Sequence, residues 1–473
     1  MMKCLNIYIA LVILFAACRK KDKEIKPSND CLTPTEVAIA AVSNDAVTFA
    51  LVGTDSLSVG KVQWTIISPD KTLQIETNGK NLITQSFSKS GEYRITAIVE
   101  TVCKTRITLT RSETIQVGYF NKVWIKEIGQ YTDTTFRAIT ESRGGGCIVV
   151  GFRYIVSLDE SGKIIWKNET GVGNGYLNSV VQANDGGYVI GADRIDYTYG
   201  LAKISAKGEK LWEKNFTGGG NAGGTGYDRL TTVVNTQDGG YIIGGSSSSL
   251  AGIDKSEPPK NNMAYRNYTL TDYWIIKVNS QGVKEWDKTL GGDAEESLSN
   301  IVNTTDGGYI LSGSSASSKS GDKSDDTNSY YDFWIVKIDR HGVKEWDRSF
   351  ISGGSMVALP DGSVVLITGS ATTTNKINYM KLSNRGEILW QKQVQGDRAR
   401  IISSNDGGFA MIGRLDQYNL ISFSSDGEIQ DVRKIDLEGA DLSYGLVLGE
   451  ASSGGFYGLV SWREQQAVVY IKK

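Results

Sequence analysis

Short runs of apolar or alternating residues fill the chain from about residue 120 to its end, and glycine-bearing turns separate them. The lengths and alternation are those of strands, and the turns fall at strand spacing. Between residues 298 and 350 the pattern predicts four strands, at 298–304, 309–315, 332–339 and 343–350. Upstream, residues 31–117 carry the same kind of pattern. Val62, Trp64 and Ile66 alternate with polar neighbours, a turn at Ser88–Gly91 leads into a strand through Val99, and alternation returns from Thr105 to Val117. The first residues differ. Leu5 to Phe15 is an apolar run too short to span a bilayer comfortably, and it gives way abruptly to Arg19-Lys20-Lys21-Asp22-Lys23-Glu24.

The strands repeat as units. An Asp-Gly-Gly turn feeding a strand occurs at Asp185, Asp238, Asp306 and Asp406, with weaker copies at Gly144-Gly145-Gly146, Asp361-Gly362-Ser363 and Ser453-Gly454-Gly455. That makes seven. A second turn follows, with a tryptophan four residues after its glycine: Gly162/Trp166, Gly208/Trp212, Gly282/Trp286, Gly342/Trp346 and Gly386/Trp390. In a sixth copy Gly427 is followed by Asp431, and the seventh lacks this part because the chain ends. The missing strand is present early, at 120–129 around Trp124. Four strands per unit and seven units predict an all-β, seven-bladed β-propeller over 118–473, closed by the strand at 120–129. A lone four-stranded unit cannot bury both faces, so the units must stack. The recurring tryptophans are expected to fill the wedge between blades.

Composition narrows the partners. The 473 residues carry a formal net charge of −2 and a single histidine, His341. That balance gives no basic footprint for nucleic acid, and one histidine leaves no multi-histidine metal site. Glycine numbers 54 and proline only 6, so the glycines serve turns.

The N-terminus, ending in Leu14-Phe15-Ala16-Ala17-Cys18, resembles the bacterial lipobox. The resemblance implies a signal peptide over 1–17, lipidation of Cys18 and a tether over 18–30. Cys31 and Cys103 flank the small domain at 31–117 in an oxidising compartment, which predicts a disulfide. Cys147 lies in the apolar run Cys147-Ile148-Val149-Val150 and is expected to be a buried free thiol.

Two further resemblances rest on longer strings. The small domain, with its strand tryptophan and its Gly91-Glu92-Tyr93-Arg94-Ile95 strand, resembles a PKD-type immunoglobulin-like β-sandwich. The strings Asp272-Tyr273-Trp274-Ile275-Ile276-Lys277 and Asp332-Phe333-Trp334-Ile335-Val336-Lys337, each followed by Gly-Val-Lys-Glu-Trp, look like the repeats of secreted and lipid-anchored propeller proteins of Bacteroidota. The turn-to-tryptophan spacing also resembles the repeats of quinoprotein dehydrogenases and of the outer-membrane assembly lipoprotein propeller. These resemblances imply a cell-envelope lipoprotein, membrane-attached through its anchor and placed at the outer membrane. The role implied is non-enzymatic: a propeller surface that binds a glycan, a peptide or an envelope protein, or that acts as a scaffold. The alternative is a quinoprotein-like or glycan-acting propeller enzyme.

The candidate site follows from loop length. The connections 246–271 and 314–331 are long for loops without structure of their own. Both contain a Gly…Asp-Lys-Ser string, at 252–256 and 321–324, and both carry tyrosines, Tyr265 and Tyr268 in one, Tyr330 and Tyr331 in the other. Exposed tyrosines beside carboxylates such as Asp322 and Asp325 suit a glycan or polar-peptide surface. Alternatively the loops pack on each other and cover the sheet. Asp322, Asp325, Asp326 and Asn328 offer hard oxygen ligands for calcium, or form a solvated acidic loop. No other cofactor, no transition-metal cluster and no catalytic set is legible, and His341 falls in a surface turn.

Overall fold

The computed structural model describes residues 34–471 apart from 43–45, 53–58, 68–71, 79, 81, 87–90, 116–121, 131–135, 153, 170–174, 221–225, 261–269, 327–328, 352, 372–375, 405, 415–417, 436–447, 451–454 and 463–464. The signal and tether, with Cys18 and Cys31, lie outside the described residues, as do Tyr265 and Tyr268. All the regular structure described is strand. The chain divides into two compact units, with the boundary at Ile115/Gln116.

In the first unit, Glu36–Val42, Ala46–Val52 and Leu82–Ser86 form one antiparallel sheet. A second contains Thr72–Asn78, Val59–Ile67, Gly91–Thr101 and Arg106–Ile115, in that spatial order. Strand alternation makes the core. Val62, Trp64 and Ile66 are buried on one face of their strand, and Ile95, Ala97 and Val99 on that of its neighbour, with Trp64 opposite Ala97. Arg111 Nη1 donates to the Val37 carbonyl at 3.4 Å and links the two sheets. Cys103 lies in the exposed turn after Thr101.

Among its described residues the second unit holds seven four-stranded antiparallel sheets. Sheets 1 to 6 run consecutively over 136–169, 175–216, 228–290, 296–350, 355–395 and 397–434. Sheet 7 takes three strands from 448–471 and its fourth, Lys122–Gln130, from the start of the unit. First strands neighbour one another around a ring, and the first strand of sheet 7 neighbours that of sheet 1. Each pair of adjacent sheets encloses its own apolar layer. Between sheets 7 and 1, for example, Tyr457, Leu459 and Val468 meet Cys147, Val149 and Val156. Cys147 is a fully buried free thiol, which burial holds protonated.

In sheet 4 the first strand begins at Glu296, two residues before the apolar pattern starts. The reason is that Glu296 and Ser297 are polar yet pair with Ser315 and Ser314. The third and fourth strands are each one residue shorter than the pattern suggests.

The Asp-Gly-Gly turn uses its two glycines differently. Gly186 needs its positive φ of 85°, and a Cβ there would meet nothing within 4 Å. Gly187 needs room, because a Cβ would come within 2.4 Å of the Ile204 carbonyl oxygen. The aspartate caps the turn by accepting from the second glycine's N–H, at 3.1 Å for Asp185 and 3.0 Å for Asp306. It also holds a buried lysine of the third strand: Lys277 reaches Asp238 at 2.8 Å and Lys337 reaches Asp306 at 3.0 Å. Glu285 and Glu345 take the same ammonium groups from the fourth strand.

The recurring tryptophans are half-buried on the outer strand, where each packs against the outer margin of the apolar layer between its sheet and the next. Each covers the turn glycine of the next sheet. A Cβ on Gly162, Gly208, Gly282, Gly342, Gly386 or Gly427 would lie within 3 Å of the ring of Trp124, Trp166, Trp212, Trp286, Trp346 or Trp390, respectively. This accounts for Asp431. Sheet 6 precedes sheet 7, whose fourth strand comes from the other end of the unit, so sheet 7 has no such turn to cover.

Candidate functional site

The Asp-Gly-Gly and Gly…Trp turns join first to second and third to fourth strands, so they share one end of the ring. The other end carries the inter-sheet connections and the second-to-third connections, of which the long ones span 248–271 in sheet 3 and 316–331 in sheet 4.

Both long loops are anchored by the same set of contacts. In sheet 4, Lys323 is buried and its Nζ donates to the Ser317 carbonyl at 2.6 Å and to Asp332 at 3.1 Å. Beside it the buried Glu296 accepts from Ser315 Oγ (2.8 Å), Ser317 Oγ (2.5 Å) and Gly292 N–H (2.9 Å). Burial raises the Glu296 carboxyl, against the pull of these donors. Ser324 donates through its N–H and its hydroxyl to Asp347, which also takes the indole N–H of Trp334. Sheet 3 repeats the arrangement. Lys255 Nζ donates to Ser247 Oγ (2.7 Å) and the Ser249 carbonyl (2.9 Å), and Asp228 accepts from Ser247 and Ser249. Ser256 and Trp274 donate to Asp287. Desolvation lowers the Lys255 ammonium to about 8, against the attraction of Asp228, Asp272 and Asp287. Buried polar groups of this kind are tolerable only when partnered, and these are.

The carboxylates of the predicted site take part in this anchoring. Asp322 accepts from the Gly291 N–H at 3.1 Å, as Asp254 does from Thr217 in sheet 3. Burial raises the Asp322 carboxyl, against that hydrogen bond and the nearby Lys260 and Lys344. Asp325 accepts from the Ser349 N–H at 3.1 Å. Asn328 lies outside the described residues, and among those described no three His, Cys, Asp or Glu side chains are grouped to hold a metal ion. His341 is an exposed turn residue touching Arg340.

Tyr330 and Tyr331 point outward. Tyr330 is 86% exposed and meets Tyr331 edge-on, with ring centroids 4.9 Å apart. Tyr331 donates its hydroxyl to Glu295 at 2.9 Å, and that bond raises its pKa. Ser329 donates to the Ile351 carbonyl at 3.1 Å, tying the tyrosines to the next connection, where the Ile351 side chain is 66% exposed. The result is an exposed aromatic and aliphatic patch on a loop whose base is pinned.

No family model and no curated protein matches this chain. Solved structures do. BamB from Moraxella catarrhalis is 14% identical, over 75% of this chain and all of that one, at a TM-score of 0.40. The Pan2 WD40 domain from Neurospora crassa is 7% identical, over 72% and 91%, at 0.46. A protein of unknown function from Dyadobacter fermentans is 10% identical, over 75% and 99%, at 0.41. Similarity at this level says nothing of what the chain binds.

Sequence reasoning missed the role of Lys255 and Lys323. Their recurrence in two loops of different length was the available signal. It was legible as a repeat but not as a pair of buried cations, because nothing in a string says which way a lysine points.

Proposed function

We propose that this chain is a lipid-anchored cell-envelope protein that binds a glycan or an envelope polypeptide on a seven-bladed β-propeller, without catalysing a reaction. Each of the seven sheets is one blade in this reading, and the first unit is a PKD-like immunoglobulin-type spacer stapled by Cys31–Cys103. Cys18 carries the lipid and places the protein at the outer membrane.

The observation that supports binding is the Tyr330–Tyr331–Ile351 patch on a loop held from beneath by Lys323 and Asp347. A pinned loop loses little freedom when a ligand arrives, and edge-paired tyrosines give contact area with few rotors. The polar side chains that recur between repeats are, by contrast, engaged in holding turns and loops.

The test compares the purified protein with Tyr330→Ala/Tyr331→Ala in a screen against glycans and envelope proteins. A ligand captured by the parent and lost by the double variant, at unchanged unfolding midpoint, is expected. Equal capture by both would remove the patch from the reading. The anchor has its own check: Cys18→Ser should release the protein from the membrane fraction and abolish the lipid mass.

A further inference from the structure

The first strands meet around the axis of the ring, and most of them carry one extra residue. In sheet 1 that residue is Arg137, which falls between the pairs Phe136–Gly151 and Ala138–Val150. In sheets 2 and 3 it is Asn178 and Thr231. A bulge residue does not pair with its own second strand, so its side chain is free to reach elsewhere. Asn178 Nδ2 donates to the Leu230 carbonyl (2.8 Å) and Thr231 Oγ1 to the Leu298 carbonyl (3.1 Å), each on the next first strand. These bonds tie the first strands of sheets 2, 3 and 4 to one another beside the axis.

Arg137 departs from this pattern. Its Nη1 donates to Asn178 Oδ1 at 2.9 Å, and its guanidinium lies 4.0 Å from the Tyr176 ring centroid. Among the described residues that is the hydrogen bond it makes, and the rest of its N–H fork has no acceptor among them. Close by, Arg229 pairs through Nε with Asp193 at 3.1 Å. Burial first, and then the charge of Arg229, lower the proton affinity of Arg137. The Asp193 charge acts on both guanidiniums, and among the described residues only Arg229 is paired with it. A third, Arg400 on the first strand of sheet 6, reaches to within 3.7 Å of where a Cβ on Gly354 would stand. Arg137 and Arg229 sit at the starts of their strands, at the ring end opposite the Asp-Gly-Gly turns.

We propose that this axial mouth, centred on Arg137 and Arg229, takes the side-chain carboxylates of an extended acidic peptide. A guanidinium fork whose N–H groups no other described residue takes up matches a carboxylate geometrically, and a pair of one half-buried and one exposed guanidinium with a single carboxylate beside it gains from a second. A peptide is favoured over an acidic sugar because the Tyr176 ring is already engaged, by Arg137 and by Phe152 at 4.9 Å. The mouth therefore offers charge and donors rather than a free stacking face. The proposal rests on the binding reading above, but uses a different surface from the tyrosine patch.

The test is fluorescence anisotropy of the whole purified protein with a labelled tetraglutamate peptide, at low and at physiological salt. Tetraglutamine and trigalacturonate serve as competitors. Tetraglutamate should bind, and tetraglutamine should compete far more weakly. Arg137→Gln and Arg229→Gln should each weaken binding by about tenfold or more, with unfolding midpoints unchanged. Arg385→Gln, in a turn at the other end of the ring, should have no effect. Should Arg137→Gln fail to fold, Arg229→Gln decides alone. Equal competition by the two peptides, or binding that survives the arginine changes, overturns the proposal. Trigalacturonate binding more tightly than tetraglutamate overturns it in favour of an acidic sugar. Tyr330→Ala/Tyr331→Ala should leave tetraglutamate binding intact, so failure of the patch and failure of the mouth are read separately.

Discussion

Gly342 and Gly186 hold nearly the same left-handed backbone, at φ of 81° and 85°, among different neighbours. Alanine at Gly186 meets open space and carries only the backbone strain, about 1 kcal/mol. Alanine at Gly342 must also displace Trp286, whose ring would stand 2.9 Å from the new methyl group. Gly342→Ala should therefore cost about 1–2 kcal/mol more than Gly186→Ala in urea unfolding. Equal costs would show that the tryptophan yields freely. The Asp306 carboxyl gives a pH test. Burial alone would raise it, but donors from Thr304, Gly308 and Lys337 outweigh burial and bring it to about 2. Asp238, held likewise by Lys277, Thr236 and Gly240, also lies at about 2. An unfolded aspartate titrates near about 3.9. The unfolded chain thus binds more protons between those values, and the stability these groups contribute is complete above about pH 4 and lost as pH falls towards 2. Asp306→Asn should flatten that decline in an acid titration of the unfolding midpoint. An unchanged decline would assign it to other groups.

Among the elements, the long loop of sheet 4 depends on one side chain. Lys323 and Asp332 are both fully buried and face each other. Removing the lysine leaves a buried carboxylate facing a vacated position, a change that typically costs about 3–5 kcal/mol. Lys323→Met should lower stability on that scale. It should also raise amide exchange across 316–331 more than in the strands of sheet 4. Uniform exchange throughout would mean that the loop and the sheet open together. Strand existence and order were legible from alternation and turns. The start of sheet 4's first strand was not, because Glu296 looks like a solvent-facing carboxylate until Ser315 and Ser317 are seen donating to it. The tyrosine pair was legible as a candidate patch, and the structure adds its exposure and its pinned base. Arg137 was not legible, since a bulge is defined only by the partner strand.

For the molecule as a whole, ring closure falls to Lys122–Gln130. It pairs with the strand that buries Ala467, Val468 and Val469, so its loss would expose an apolar strand edge. Unpaired edges recruit other chains. A chain beginning after residue 130 should self-associate in sedimentation velocity, and a synthetic peptide of residues 122–130 should reduce that association. A monomeric, stable fragment would show that the ring closes without this strand.

The sequence by itself determined the all-β composition, the four-strand unit, its sevenfold recurrence and the displaced strand that completes the last unit. These are local or periodic properties, set by side-chain alternation and by glycine and aspartate at turns. Tertiary structure alone decided which polar residues are buried and which face the axis. It made Lys323 a buried brace, Tyr330 an exposed edge and Arg137 a half-free cation. Each of those outcomes depends on what a neighbouring sheet or strand places opposite the residue, and that information is not carried by the residue's own stretch of chain.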